Sequence, residues 1–121
     1  MKICIDCFND KELKAVAEGL KTKGKCDVCG KEAHVYDTQL SDGIVDIIDD
    51  FMNMYKPANE EVKGKNRLNL ENELINHWKV FSKSCVYKVK NIIKAIYEYS
   101  PETQERFDVN LFDNDVYIPQ T

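Results

Sequence analysis

Residues 4–7 read Cys-Ile-Asp-Cys, and residues 26–30 read Cys-Asp-Val-Cys-Gly. Two residues separate the cysteines within each pair, and eighteen residues separate the pairs. A two-residue spacing lets one tight turn direct both sulfurs at a single ion about 2.3 Å away, and a second turn completes a tetrahedron. The pattern therefore predicts one zinc ion with four ligands: Cys4, Cys7, Cys26 and Cys29.

Cysteine pairs can also form disulfides or redox-active sites, and the surrounding sequence argues against both. Lys2 is followed directly by the cysteine motif, without an apolar segment or a cleavage site, so a reducing cytoplasm is expected and disulfides are disfavoured. A redox C-x-x-C is normally single and lies at a strand-to-helix turn. Iron in place of zinc stays open. Four thiolates leave no coordination position for water, so the predicted site is structural.

The composition is that of an ordinary globular protein, with 43% apolar and 31% charged residues in a chain of 121. A net charge of −4 argues against a general nucleic-acid binder, because phosphate contacts need a positive face. Residues 65–100 nevertheless hold seven basic and three acidic residues, which keeps nucleic-acid contact open as an alternative. No stretch approaches the roughly 18 apolar residues of a membrane span, so no membrane role is expected. Four lysines near the cysteines would balance the negative charge of a zinc–thiolate centre: Lys2, Lys11, Lys25 and Lys31.

Outside the cysteine pairs, apolar residues recur at helical spacing in four segments. The first predicts a helix from Asp10 to about Lys21, capped by Asn9 or Asp10. Three further helices are predicted: Ser41 or Asp42 to Tyr55, Leu70–Phe81 and Ser84–Tyr99. Ser100-Pro101 marks a break and can cap a short helix through Arg106.

These elements predict a mainly α fold, with an N-terminal four-cysteine zinc-knuckle subdomain followed by a small helical bundle. Its short β element is the segment His34-Val35-Tyr36. Residues 56–66 have loop chemistry and form the clearest linker. The predicted domains are residues 1–38 for the zinc knuckles, 39–108 for the helices and 109–121 for an extended C-terminal tail.

Other residues that could act as nucleophiles, acid–base groups or metal ligands are interpreted as structural. Cys85 is alone near a helix start, and we interpret it as a small buried residue and not a nucleophile. His34 is assigned to the strand, and His77 is expected to be structural or solvated. The Asp113-Asn114-Asp115 segment lacks the Gly and Glu of a calcium loop and is predicted to be a turn. One helix is expected to keep three carboxylates on its solvated face: Asp46, Asp49 and Asp50.

Residues 3–13 and 24–30 resemble the N-terminal zinc-binding region, called the HEPN/RES N-terminal domain, of bacterial RES-domain proteins. The resemblance extends more loosely through 40–55, 74–81 and 115–119. It implies a role beside an enzyme, because in that family a C-terminal RES domain attacks NAD as a toxin or defence effector. No residue of such a domain is present in this chain, so no catalytic residue is carried over.

The sequence thus favours a non-catalytic zinc-binding domain for protein interaction or regulation, whose partner is a protein or a RES-type domain in cis or in trans. One alternative is a regulatory zinc module that binds nucleic acid. The other is a HEPN-like ribonuclease. It conflicts with the HEPN pattern of an Arg followed after four to six residues by a His, because nine residues separate Arg67 from His77.

Overall fold

The three-stranded antiparallel sheet at the N-terminus carries both cysteine pairs. Its strands are β1 (Lys2–Cys4), β2 (Lys23–Lys25) and β3 (Glu32–Asp37), in the order β1-β3-β2. Strands β1 and β2 are both antiparallel to β3, so they run in the same direction. Cys4 ends β1 and Cys26 follows β2, so one cysteine of each pair lies at the same end of the sheet. This computed structural model describes residues 1–19, 22–39, 43–58, 67–83, 85–98 and 109–119.

Helix α1 (Lys11–Gly19) spans part of the segment between the pairs. The Asp10 carboxylate accepts a hydrogen bond from the Leu13 amide at 3.0 Å, so Asp10 is the predicted N-cap. Leu13 and Ala17 are fully buried one turn apart, and the helix packs on β3 and on α2 (Gly43–Met52). The cap and the apolar spacing confirm the predicted helix. Its predicted end at Lys21 lies outside the described residues.

Helices α2 and α4 (Val89–Glu98) supply about half of the buried aliphatic residues. The sequence predicted both as amphipathic helices, and they are. Helix α2 ends at Met52 and not at the predicted Tyr55, which begins a strand, and a 3-10 turn, Val86–Lys88, precedes α4. The prediction that all three carboxylates of α2 are solvated is wrong for Asp49. Its side chain is buried, at 8% exposure, and accepts a hydrogen bond from the Tyr97 hydroxyl at 3.3 Å. The buried stripes are Ile44, Val45, Ile48 and Met52 on α2, and Val89, Ile92, Ile93, Ile96 and Tyr97 on α4.

The predicted helix Leu70–Phe81 is shorter than expected and not uniformly α. It begins as α3 (Leu70–Asn72), capped by the Asn69 side chain, and continues as a π-helix over Glu73–His77. The Trp78 amide bonds the Glu73 carbonyl five residues back, and Lys79 then adopts a left-handed φ of 50°. This turn ends the helix before the predicted end at Phe81, which instead forms a β-bridge with Phe8.

A second sheet pairs β4 (Tyr55–Pro57) with β5 (Tyr117–Pro119), antiparallel. Leu68 bridges Tyr117 on the other edge of β5, so the end of the described chain lies between two earlier segments. The prediction of a mainly α fold is therefore wrong: the part of the chain that the structure describes is 47% helical and 23% strand, with the strands in two small antiparallel sheets. Four of the five strands have three residues, too few for an alternating apolar pattern to reveal them.

The predicted knuckle and helical portions share one cluster of buried residues. The Cys7 carbonyl accepts the Ser82 amide at 2.9 Å, and the Val80 carbonyl accepts the Asn9 amide at 2.7 Å. The division into domains at 38 and 108 stays a prediction. The predicted linker over 56–66 is wrong at its start, because Lys56 and Pro57 belong to β4. Residues 59–66 and the predicted short helix through Arg106 lie outside the described residues.

Candidate metal centre

The four predicted ligands converge. Their Sγ atoms all lie within 4.8 Å of one another. The distances are 3.7 Å from Cys4 to Cys7, 3.7 Å from Cys7 to Cys26 and 3.4 Å from Cys4 to Cys29. Sulfurs about 2.3 Å from a central tetrahedral ion lie about 3.8 Å apart, whereas a disulfide needs about 2.05 Å. The thiols are free, and their spacing fits a metal ion and not a disulfide.

The first knuckle is a 3-10 turn over Ile5–Cys7, directly after β1. The Phe8 amide closes it on the Ile5 carbonyl at 3.3 Å. Cys4 and Cys7 are fully buried. A single turn of 3-10 helix thus places both sulfurs three residues apart on the inner side, as the two-residue spacing predicted.

The second knuckle turns its backbone amides toward one sulfur. The Cys26 Sγ accepts hydrogen bonds from the amides of Val28 at 3.3 Å and Cys29 at 3.4 Å. The Gly30 amide bonds the Cys26 carbonyl at 2.9 Å, and the Gly30 φ of +77° turns the following chain back, so that the Lys31 carbonyl accepts the Cys26 amide at 2.9 Å. A left-handed residue is what glycine provides at low cost, so this glycine fixes the turn that presents Cys26 and Cys29.

Direct contacts join the two knuckles. The Cys4 amide donates to the Cys26 Sγ at 3.3 Å, which makes a third amide on that sulfur. The Asp27 carboxylate accepts the Lys2 amide at 2.7 Å. An exposed ion pair between Lys31 and Asp6 spans the same gap. Of the four lysines expected to balance the thiolates, Lys31 thus pairs with a carboxylate, and its ammonium holds the pKa of Asp6 below its usual range.

The electrostatics of the four thiols differ. Burial opposes ionisation of Cys26, but the amides of Cys29, Cys4 and Val28 outweigh it and lower its pKa to about 7. Burial, together with the neighbouring Cys29, raises the pKa of Cys4 to about 11. Contact with Cys85, followed by burial, raises the pKa of Cys7. Four thiolates so close together need a central positive charge, and a divalent cation supplies it.

Cys85 connects this centre to the helices. It is fully buried, as predicted, and its Sγ donates to the Cys7 carbonyl at 2.9 Å. That carbonyl also accepts the Ser82 amide. The segment before α4 is therefore bonded to a predicted metal ligand. No sequence signal indicates this contact, because Cys7 and Cys85 are 78 residues apart and neither belongs to a motif that includes the other.

The remaining candidates lie away from the four sulfurs. His34 is in β3, as predicted, with a buried Nδ1 that has no hydrogen-bond partner among the described residues. The His77 Nδ1 lies 3.2 Å from the Glu73 carboxylate, and its ring stacks on Trp78 at 4.6 Å. Asp113 sits in the predicted turn and pairs with Lys90 at 3.0 Å. In the described ranges, only the four cysteines form a group suited to a metal ion.

No family model matches the chain. A search of curated proteins and a search of solved structures also gave no significant match. Within the described residues, no helix is long and apolar enough to cross a membrane. Because no comparison gave a match, the metal centre is inferred from the sequence and geometry of this chain alone.

Proposed function

We propose that this chain is a non-catalytic protein-interaction or regulatory domain organised by one structural zinc ion. The observation that carries the proposal is the convergence of four sulfurs at tetrahedral spacing. Four protein ligands complete the coordination of zinc, so no position is left for a reacting water or substrate. Zinc is favoured over iron because the motif has the spacing of structural zinc sites.

The connections of the site support an organising role. Cys4 ends a strand, Cys26 follows another, and the carbonyl of Cys7 holds the segment that leads into α4. An ion bound by these residues would cross-link the N-terminal sheet and anchor residues 80–83 and Cys85. Such a site contributes directly to folding, because its ligands do not converge in the unfolded chain.

The proposed partner is a protein or a RES-type domain, in cis or in trans. Support comes from the resemblance of residues 3–13 and 24–30 to the region that precedes RES domains, and from a site that is closed to chemistry. His77 has a structural explanation in its contacts with Glu73 and Trp78, which favours an interaction role over the ribonuclease alternative.

The test is a two-part comparison of zinc-loaded and chelated protein. The loaded chain should cleave neither NAD nor RNA, and it should retain a RES-type domain in a pull-down from its native host that the chelated chain loses. Turnover of NAD or RNA by the loaded chain would refute the non-catalytic assignment, and RNA cleavage that His77→Ala abolishes would favour the ribonuclease alternative instead. Retention of the partner after complete zinc removal would refute the organising role.

A second candidate, nucleic-acid binding, is favoured by one observation beside the second knuckle. Tyr87 is 70% exposed, and its hydroxyl reaches the Val28 carbonyl at 3.5 Å. The Lys88 ammonium lies 5.6 Å from that ring and 3.5 Å from the Asp27 carbonyl. An exposed aromatic ring beside a cation is a stacking platform for single-stranded nucleic acid. Salt-dependent RNA or DNA binding that Tyr87→Ala weakens would support this candidate, and absence of binding at low salt would remove it.

A further inference from the structure

A half-open cavity lies where the first knuckle meets the π-helix. Its volume is ≈ 500 Å³, within the range of small-molecule sites. Ile75, Phe81 and Val86 form an apolar part, and the rest of the described lining is polar or cationic. These remaining residues are Asn9, Asn76, Lys79, Ser82 and Lys83.

All charged side chains in the described lining of this cavity are positive. Lys79 and Lys83 are both exposed, and neither has an acidic partner in the part of the chain that the structure describes. No described lining residue is acidic. Asn9, Asn76 and Ser82 add neutral side chains that can donate hydrogen bonds. The lining therefore presents two positive charges and several donors beside an apolar surface.

Lys79 occupies a position that a lysine does not favour. Its φ of 50° is left-handed, a conformation in which glycine is usual at the end of a helix. The Val80 amide bonds the Leu74 carbonyl six residues back, one residue further than in the usual Schellman turn, because the preceding turn is a π-helix. The Asn9 side chain donates to the Lys79 carbonyl at 2.8 Å and fixes the turn. A side chain kept at a strained position points to a role for that side chain.

We propose that this cavity binds a small organic anion, a phosphate monoester or carboxylate joined to an apolar group. The anion pairs with the ammonium groups of Lys79 and Lys83, and the apolar group lies against Ile75, Phe81 and Val86. Asn9 is two residues from Cys7, and the Ser82 amide bonds the Cys7 carbonyl. The metal centre thus supports one wall of the cavity, while the ligand itself does not contact the cysteines.

The test is a titration of the zinc-loaded, ¹⁵N-labelled chain, followed by amide chemical shifts. The probe is phenyl phosphate, with benzyl alcohol and inorganic phosphate as controls that each lack half of the recognised chemistry. A ligand of this size should bind with a Kd on the order of 1 mM. The shifts should map to the side-chain amides of Asn9 and Asn76, and both controls should bind at least about fivefold more weakly.

Two variants separate binding from folding. Lys79→Gly should fold as well as the natural chain or better, because glycine suits the left-handed turn, yet bind phenyl phosphate about threefold to fivefold more weakly. Lys83→Ala should weaken binding to a similar extent, and Lys56→Ala, which removes an exposed lysine of β4 outside the cavity, should not. Equal binding of benzyl alcohol, unchanged affinity of Lys79→Gly and Lys83→Ala, or no saturable binding would each overturn the proposal.

Discussion

The cysteine knuckles and the helix pair α2–α4 enter the same core by different means. The helices bury continuous aliphatic stripes; Ile44, Ile48 and Ile93 are each fully buried. The knuckles are turns of a few residues, in which three amides point at the Cys26 sulfur instead of at backbone carbonyls. Apolar burial stabilises the α2–α4 helix pair by itself, whereas the cysteine knuckles need a cross-link between their turns.

Because the two regions are stabilised differently, loss of the metal should affect the knuckles more than the helix pair. Chelation should release the knuckles and, through the Cys7 carbonyl, Ser82 and Cys85, while much of the α2–α4 packing persists. Amide exchange on zinc-loaded and chelated protein would show this as a loss of protection confined to those segments.

The largest expected effect is that of Cys26→Ser. Structural zinc contributes on the order of 10 kcal/mol of folding free energy, so loss of this ligand should lower the free energy of unfolding by more than about 4 kcal/mol and abolish tight metal binding. Urea unfolding and elemental analysis measure both. Cys85→Ala is the matched control, because it removes a buried thiol outside the cluster and should keep the metal. Full zinc content in Cys26→Ser would exclude Cys26 as a ligand.

Ile93→Ala tests the other region. Removal of a fully buried aliphatic side chain from α4 should lower the free energy of unfolding by about 3 kcal/mol. The metal content should not change, since Ile93 belongs to the helix stripe and not to the knuckles. A variant that lost its metal while remaining folded would show that the two regions are not separable in this way.

Gly30→Ala gives a smaller effect inside the knuckle. An added Cβ meets nothing within 4 Å, so only the φ of +77° is strained, at about 1–2 kcal/mol. Gly19→Ala at the end of α1 is the matched control, because its Cβ also meets nothing and its φ is not left-handed. That control should leave stability unchanged or slightly raised. Equal effects of the two substitutions on thermal unfolding would disprove the role of the turn.

The smallest effect is expected for Asp10→Ala. It removes the side-chain cap on the Leu13 amide and should lower the free energy of unfolding by about 1 kcal/mol. The zinc stoichiometry should stay the same, because α1 only spaces the knuckles. A measurable loss of zinc would instead place α1 among the elements that hold the ligands in position.

The sequence predicted the features that have a short-range signal. Cysteine spacing indicated which four thiols converge, the Asp10 cap and 3.6-residue periodicity located α1, and apolar stripes located α2 and α4. The misses are long-range or very short. Strands β4 and β5 have three residues each and pair across 60 residues, and the contact of Cys85 with Cys7 also depends on distant segments. The π-helix over Glu73–His77 keeps a helix-like sequence pattern but changes where its residues face.

The metal content of the purified chain, measured by elemental analysis before and after chelation, tests the proposed zinc site directly. We predict one zinc per chain, and loss of amide protection at the knuckles when it is removed. A chain that folds to the same structure with no bound metal would contradict the central claim, because the four converging thiols would then be held by packing alone.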